Sequence, residues 1–172
     1  MYKRTIGSFA LAKALFVVLL TSTVLTRAAG TATGQFIVQA TVKLSCSVAG
    51  TENINFGDIP SPVEVDVHRN AQIIMGLNCP YLFPPQPLIS LDKGRGAGAT
   101  FAQRKMTSSS NLADTLNYTL YTDAGTVWGD GIEGSSQYRY DGNTVTIFAV
   151  IPKGQAPAAG SYQDTIVVTV SF

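Results

Sequence analysis

The sequence predicts an all-β sandwich, and three observations carry that prediction. Apolar and polar residues alternate with period two through most of the chain beyond residue 34. Turn residues interrupt the alternation about every 8–12 positions, which divides it into about seven or eight short strands. No segment beyond the first 30 residues repeats its apolar residues with a helical period.

The elements follow in order. From Gly34 to Cys46 the alternation is unbroken: Phe36, Val38, Ala40, Val42, Leu44 and Cys46 share one face. Gly50 to Asn53 reads as a turn. Ile54 to Ile59 reads as a short strand ended by Pro60 and Pro62. Val63, Val65 and Val67 alternate with Glu64, Asp66 and His68, and Ile73, Met75, Leu77 and Cys79 then share a face. Four prolines between Pro80 and Pro87 break any ladder and mark a loop. Leu88–Asp92 is a strand, and the glycines from Gly94 to Gly98 turn the chain. Residues 101–106 read as extended. Leu116, Tyr118 and Leu120 alternate in the next strand, and Asn143–Ile151 is a strong one. After a proline- and glycine-rich loop, the chain closes on Ser161–Phe172, with Ile166, Val168, Val170 and Phe172 on one parity.

The first residues belong to a different class. Lys3, Arg4 and Lys13 precede or flank an apolar run of 12 residues, Ala14–Leu25, followed by Ala28, Ala29, Gly30 and Ala32. This is the pattern of a secretory signal, cleaved between Ala28 and Ala32, with residues 1–28 removed. A membrane-spanning helix needs about 20 apolar residues. The expected route is export to the periplasm and onward to the cell surface. Without Lys3, Arg4, Lys13 and Arg27 the 12 basic residues fall to eight, against 11 acidic ones. No basic patch larger than Arg104-Lys105 remains, so nucleic-acid binding lacks its electrostatic footprint. An exported chain with two cysteines is expected to pair them, Cys46 with Cys79, closing a loop of 33 residues.

Chemistry-bearing residues are sparse. His68 is the one histidine and falls on a polar strand face. Asp123, Asp130, Glu133 and Asp141 sit among glycines, where turn aspartates ordinarily occur. Two cysteines and one histidine do not make a tetrahedral metal set. Gly94–Gly98 lacks the Lys-Ser/Thr of a phosphate loop. No catalytic, cofactor or metal residues are assigned, and the chain is read as a non-enzyme. Trp128 and the seven tyrosines leave a carbohydrate-binding sandwich as one alternative.

A constellation of residues then points to a family. Thr33-Gly34-Gln35-Phe36, Cys46, Asn55-Phe56-Gly57, Cys79, Ile89-Ser90-Leu91-Asp92, Leu116–Asp123, Val127–Asp130, Ile151–Gln155 and Tyr162–Phe172 occur in an order that resembles the spore coat protein U domain family. That family includes pilin subunits of archaic, Csu-type chaperone–usher pili, and the single-domain length is most similar to a minor pilin. The resemblance implies an incomplete immunoglobulin-like β-sandwich that lacks its last strand and is completed by a donor strand from another molecule. It implies a periplasmic pilus chaperone, an outer-membrane usher and neighbouring pilin subunits as partners, in a fibre serving surface attachment and biofilm formation. A spore-coat or surface-coat protein of the same family is the second alternative. On this reading residues 29–40 are the donor segment and 41–172 the sandwich domain. Phe36, Val38, Ala40 and Val42 form the donor face. Ile166, Val168, Val170 and Phe172 flank the acceptor groove.

Overall fold

The computed structural model describes residues 31, 33–82, 84–123 and 125–172; the expected secretory signal lies outside them. The chain divides into two units, one ending at Ala40 and one running from Thr41 to Phe172. The described part of the first unit, with Phe36, Ile37 and Val38, forms no strand and is exposed.

The second unit is all-β. Its strands are β1 (Val48–Thr51), β2 (Val67–Met75), β3 (Leu88–Leu91), β4 (Arg104–Ser108), β5 (Thr115–Tyr121), β6 (Tyr138–Arg139), β7 (Val145–Ile151), β8 (Tyr162–Gln163) and β9 (Val168–Ser171). One sheet has the order β1-β2-β7-β5-β4-β8, and the other has β6-β3-β9. Every ladder between named strands is antiparallel. No helix among the described residues is long and apolar enough to cross a membrane.

The core lies between the sheets. β7 is central, pairing with β2 on one side and β5 on the other, so both its edges are used. Val145, Ile147, Ala149 and Ile151 point inward, and Ile151 is fully buried. Ile89 and Leu91 of β3 meet them from the opposite sheet. Trp128 is fully buried beside Tyr138, and its Nε1–H donates to the Ile89 carbonyl at 2.9 Å. Each large apolar side chain buried this way contributes about 1.5–3 kcal/mol.

Cys46 and Cys79 are disulfide-bonded as expected, tying the entrance of β1 to the turn after β2. Gly76 N–H donates to the Ser47 carbonyl beside the bridge. The crosslink closes a loop of 33 residues, a constraint of about 3 kcal/mol by loop entropy.

Several boundaries differ from the sequence reading. The alternation from Gly34 to Cys46 is not a strand, because no neighbour among the described residues pairs with it; pairing begins at Val48. Residues 54–59 are irregular: Asn55 Oδ1 accepts from Gly57 N–H at 2.9 Å and bends the chain. Leu77 does not share the face of Ile73 and Cys79. It sits in a tight turn, closed by Cys79 N–H donating to the Gly76 carbonyl, and is fully exposed. Residues 101–103 bend before β4 begins at Arg104. The closing stretch is two strands in two sheets. β8 pairs with β4 in the first sheet, and β9 pairs with β3 in the second.

Candidate acceptor groove

Two sheet edges face each other without a strand between them. One is β1, whose single partner is β2. The other is β9, whose single partner is β3. Between them lies a cavity of about 370 Å³ lined by Thr51 and Ile54 on one lip, Ile166 and Val168 on the other, and Leu91, Leu120 and Ile147 on the floor. A second cavity of about 480 Å³ continues past Ile54 along Phe56, Ile59, Met106, Leu116 and Tyr162. The two lips therefore run in opposite directions along a groove of mixed polar and apolar rim whose floor reaches core side chains.

Hydrogen-bond phasing fixes which backbone groups face the groove. Asp92 N–H donates to the Val167 carbonyl at 3.1 Å. In an antiparallel pair the bonding residues alternate. Val167, Thr169 and Ser171 thus turn their N–H and C=O groups toward β3, and Ile166, Val168 and Val170 turn theirs to the open edge. The same three residues direct their side chains toward the core and remain half-buried. Cys46, Val48 and Ile54 on the opposite lip are likewise half-buried. A free edge above an uncovered strip of core is a template for a further strand.

The wall carrying β9 is anchored by polar groups. Residues 164–167 cross from the first sheet to the second. Asp164 Oδ2 accepts from Tyr118 OH at 2.7 Å, and its Oδ1 accepts from Arg95 N–H at 2.7 Å and Thr165 N–H at 2.8 Å. Asp92 Oδ1 accepts from Val167 N–H at 3.0 Å and Gly94 N–H at 3.1 Å. Behind both lies Arg104, fully buried. Its guanidinium donates to the carbonyls of Asp92 (2.9 Å), Phe101 (3.1 Å) and Trp128 (2.7 Å). Burial lowers the Arg104 pKa, while Tyr118, Asp92 and Asp164 act to raise it. Burial, with the hydrogen bond to Asp164, pushes the Tyr118 phenol well above its usual range, so it stays a protonated donor. Gly94 is required here: its φ is 81°, and a Cβ would collide with the Asp164 carboxylate.

The residues expected from sequence are placed as follows. Ile166, Val168 and Val170 line the groove or pack beside it. Phe172 lies one residue beyond β9 and is half exposed. Phe36, Val38, Ala40 and Val42 are exposed, without a strand partner among the described residues. Trp128 cannot serve as a sugar-stacking platform, because its ring is buried in the core. His68 is exposed on β2, as expected of a solvated strand histidine. The anchoring set Asp92, Asp164 and Arg104 was not expected. A signal for it exists: Asp164 interrupts the inward parity of Tyr162, Ile166 and Val168, and Arg104 shares a parity with Met106.

The profile of the Spore Coat Protein U domain matches residues 32–169. The chain belongs to the Spore Coat Protein U domain family. Another protein similar to it is "Protein U" of Myxococcus xanthus, 29% identical over 160 residues, which cover 84% of this chain and 87% of that protein. Among solved structures, the chain matches one from the CsuC–CsuE chaperone–tip adhesion subunit pre-assembly complex of the archaic chaperone–usher Csu pili of Acinetobacter baumannii. The TM-score is 0.49 and the identity 20%, covering 74% of this chain and 40% of that one. In this member of the Spore Coat Protein U family, the profile match takes in the lining of both cavities and Asp92, Arg104 and Asp164, and ends within β9, before Val170.

Proposed function

We propose that this chain is a structural subunit of a surface fibre, polymerised by donation of a strand. The observation that carries this reading is the groove between β1 and β9, with an apolar floor and an unpaired edge at Ile166, Val168 and Val170. Strand addition supplies what is missing there: backbone hydrogen bonds give affinity, and alternate side chains fill the cavity. The donor is the segment around Phe36, Val38, Ala40 and Val42 of the next copy or of another subunit. Its exposure supports this role, because a free apolar strand in water is an aggregation hazard. Phe36, Val38 and Val42, once buried, offer about 4.5–9 kcal/mol before entropic costs. That is comparable to the stability of a whole domain, about 5–15 kcal/mol.

On this reading residues 1–28 are an export signal, 29–40 the donor and 41–172 the acceptor domain. A periplasmic pilus chaperone fills the groove before assembly, an outer-membrane usher assembles the subunits, and the fibre mediates attachment and biofilm formation. The protein performs no chemical turnover. A second reading is a spore-coat or surface-coat protein, favoured by the Spore Coat Protein U domain match. Chaperone and usher reading frames beside the gene separate the two.

The test compares the intact chain with one lacking residues 29–40, each alone and co-expressed with a periplasmic pilus chaperone. The expected result is a soluble one-to-one complex only with chaperone, and no self-polymerisation of the shortened chain. A stable chaperone-free monomer, with slow hydrogen exchange at Val168 and Val170, would overturn the proposal.

A further inference from the structure

We propose that Asp164 and Asp92 are positioning residues that hold the groove wall ready before any donor arrives. The inference rests on the acceptor-groove reading above. The four residues from Asp164 to Val167 leave one sheet and enter the other, and no named strand covers them. A crossover of this kind is the least supported part of a β-structure. Here two carboxylates substitute for the missing ladder. Asp164 binds this stretch to β5 through Tyr118 and to the loop after β3 through Arg95 N–H. Asp92 binds its other end through Val167 N–H, while Asp92 N–H holds the Val167 carbonyl.

The Asp92 bonds lie on the β3 side of the wall, away from the β9 free edge, whereas Asp164 also lines the cavity and is held to its floor side by Tyr118. Arg104 links the device to the core, since its Nε–H donates to the Asp92 carbonyl and a second of its nitrogens to Trp128. Hydrogen bonds to ionised carboxylates are among the stronger ones available. The phase of the open edge is therefore set from behind. An incoming strand meets the N–H and C=O groups of Ile166, Val168 and Val170 already extended and correctly directed.

This has a kinetic signature. A binding site that is competent only part of the time loses apparent affinity in proportion to the competent fraction. Once the donor is bound, its own ladder pins the wall. Loss of the device should slow capture and leave release nearly unchanged. Loss of a groove contact, such as Val168, should instead speed release.

The experiment uses the intact chain, held dilute, and a fluorescent synthetic peptide of residues 33–44. Capture and release are followed separately, by mixing and by competition with unlabelled peptide. Asp164→Asn keeps the side-chain size and removes the charge. Tyr118→Phe removes only the hydroxyl and keeps the core ring, and it serves should Asp164→Asn fail to fold. The expected result is capture slower by about tenfold in either variant, with the release rate within about twofold. Unchanged capture in both, or faster release with unchanged capture, overturns the proposal. Peptide uptake by the unsubstituted chain with no change in the variants refutes the positioning role alone. No uptake by the unsubstituted chain overturns the acceptor-groove reading, and this proposal with it.

Discussion

β7 and the closing stretch from Tyr162 to Ser171 have the same sequence pattern and opposite fates. In both, every second residue is drawn mainly from Val, Ile or an aromatic, and the intervening residues include Thr. In β7 the inward residues Val145, Ile147, Ala149 and Ile151 are buried. In the closing stretch the inward residues Tyr162, Ile166, Val168 and Val170 are all only half-buried. The difference is not side-chain chemistry. β7 has a strand on each side, while β9 has β3 on one side and open space on the other. Burial of a strand residue is a property of its neighbours as much as of itself. The half-buried strand is therefore where this molecule still has binding energy to gain.

That contrast can be broken in graded ways. The largest effect is expected from Arg104→Ala. It orphans two buried carbonyls and one partly buried one behind the groove wall, and urea denaturation should show a loss of at least about 3 kcal/mol. A loss below about 1 kcal/mol would mean that water replaces the guanidinium there. Ile151→Ala, in the fully enclosed strand, should cost about 3–4 kcal/mol, with or without added donor peptide. Replacing both Cys46 and Cys79 by Ser should cost about 3 kcal/mol. It should also lower the exported yield, read by immunoblot of the periplasmic fraction. The smallest effect is expected from Val168→Ala in the donor-free chain, about 1 kcal/mol or less, because that side chain is only half-buried. With peptide bound the cost should rise toward that of a buried valine. An equal cost in both states would show that the groove is already closed. Val168→Asp sharpens the same point: a charge on the groove wall should abolish peptide capture, and unchanged capture would remove Val168 from the site.

Much of this was legible in the residues. Alternation located β5, β7 and the closing stretch, and glycine and proline located the loops between them. Two cysteines behind an apparent export signal in the sequence were enough to expect their bridge. Less legible were the ends of elements. Residues 34–46 alternate as well as any strand in the chain, yet pairing starts only at Val48. Ile54–Ile59 has strand composition, but the Asn55 side chain bends it.

Alternation is a local property, set by which side chains suit water and which do not, and it is written residue by residue. It determined the all-β class, the inward faces and the strand-like character of the closing stretch. Which neighbour each strand acquires is not local. Only the tertiary structure placed β8 and β9 in different sheets, set β9 across open space from β1, and gathered Asp92, Asp164, Tyr118 and Arg104 from four separate segments at the same wall. A groove is made of what does not pair, and pairing is decided by contacts between residues far apart in the chain.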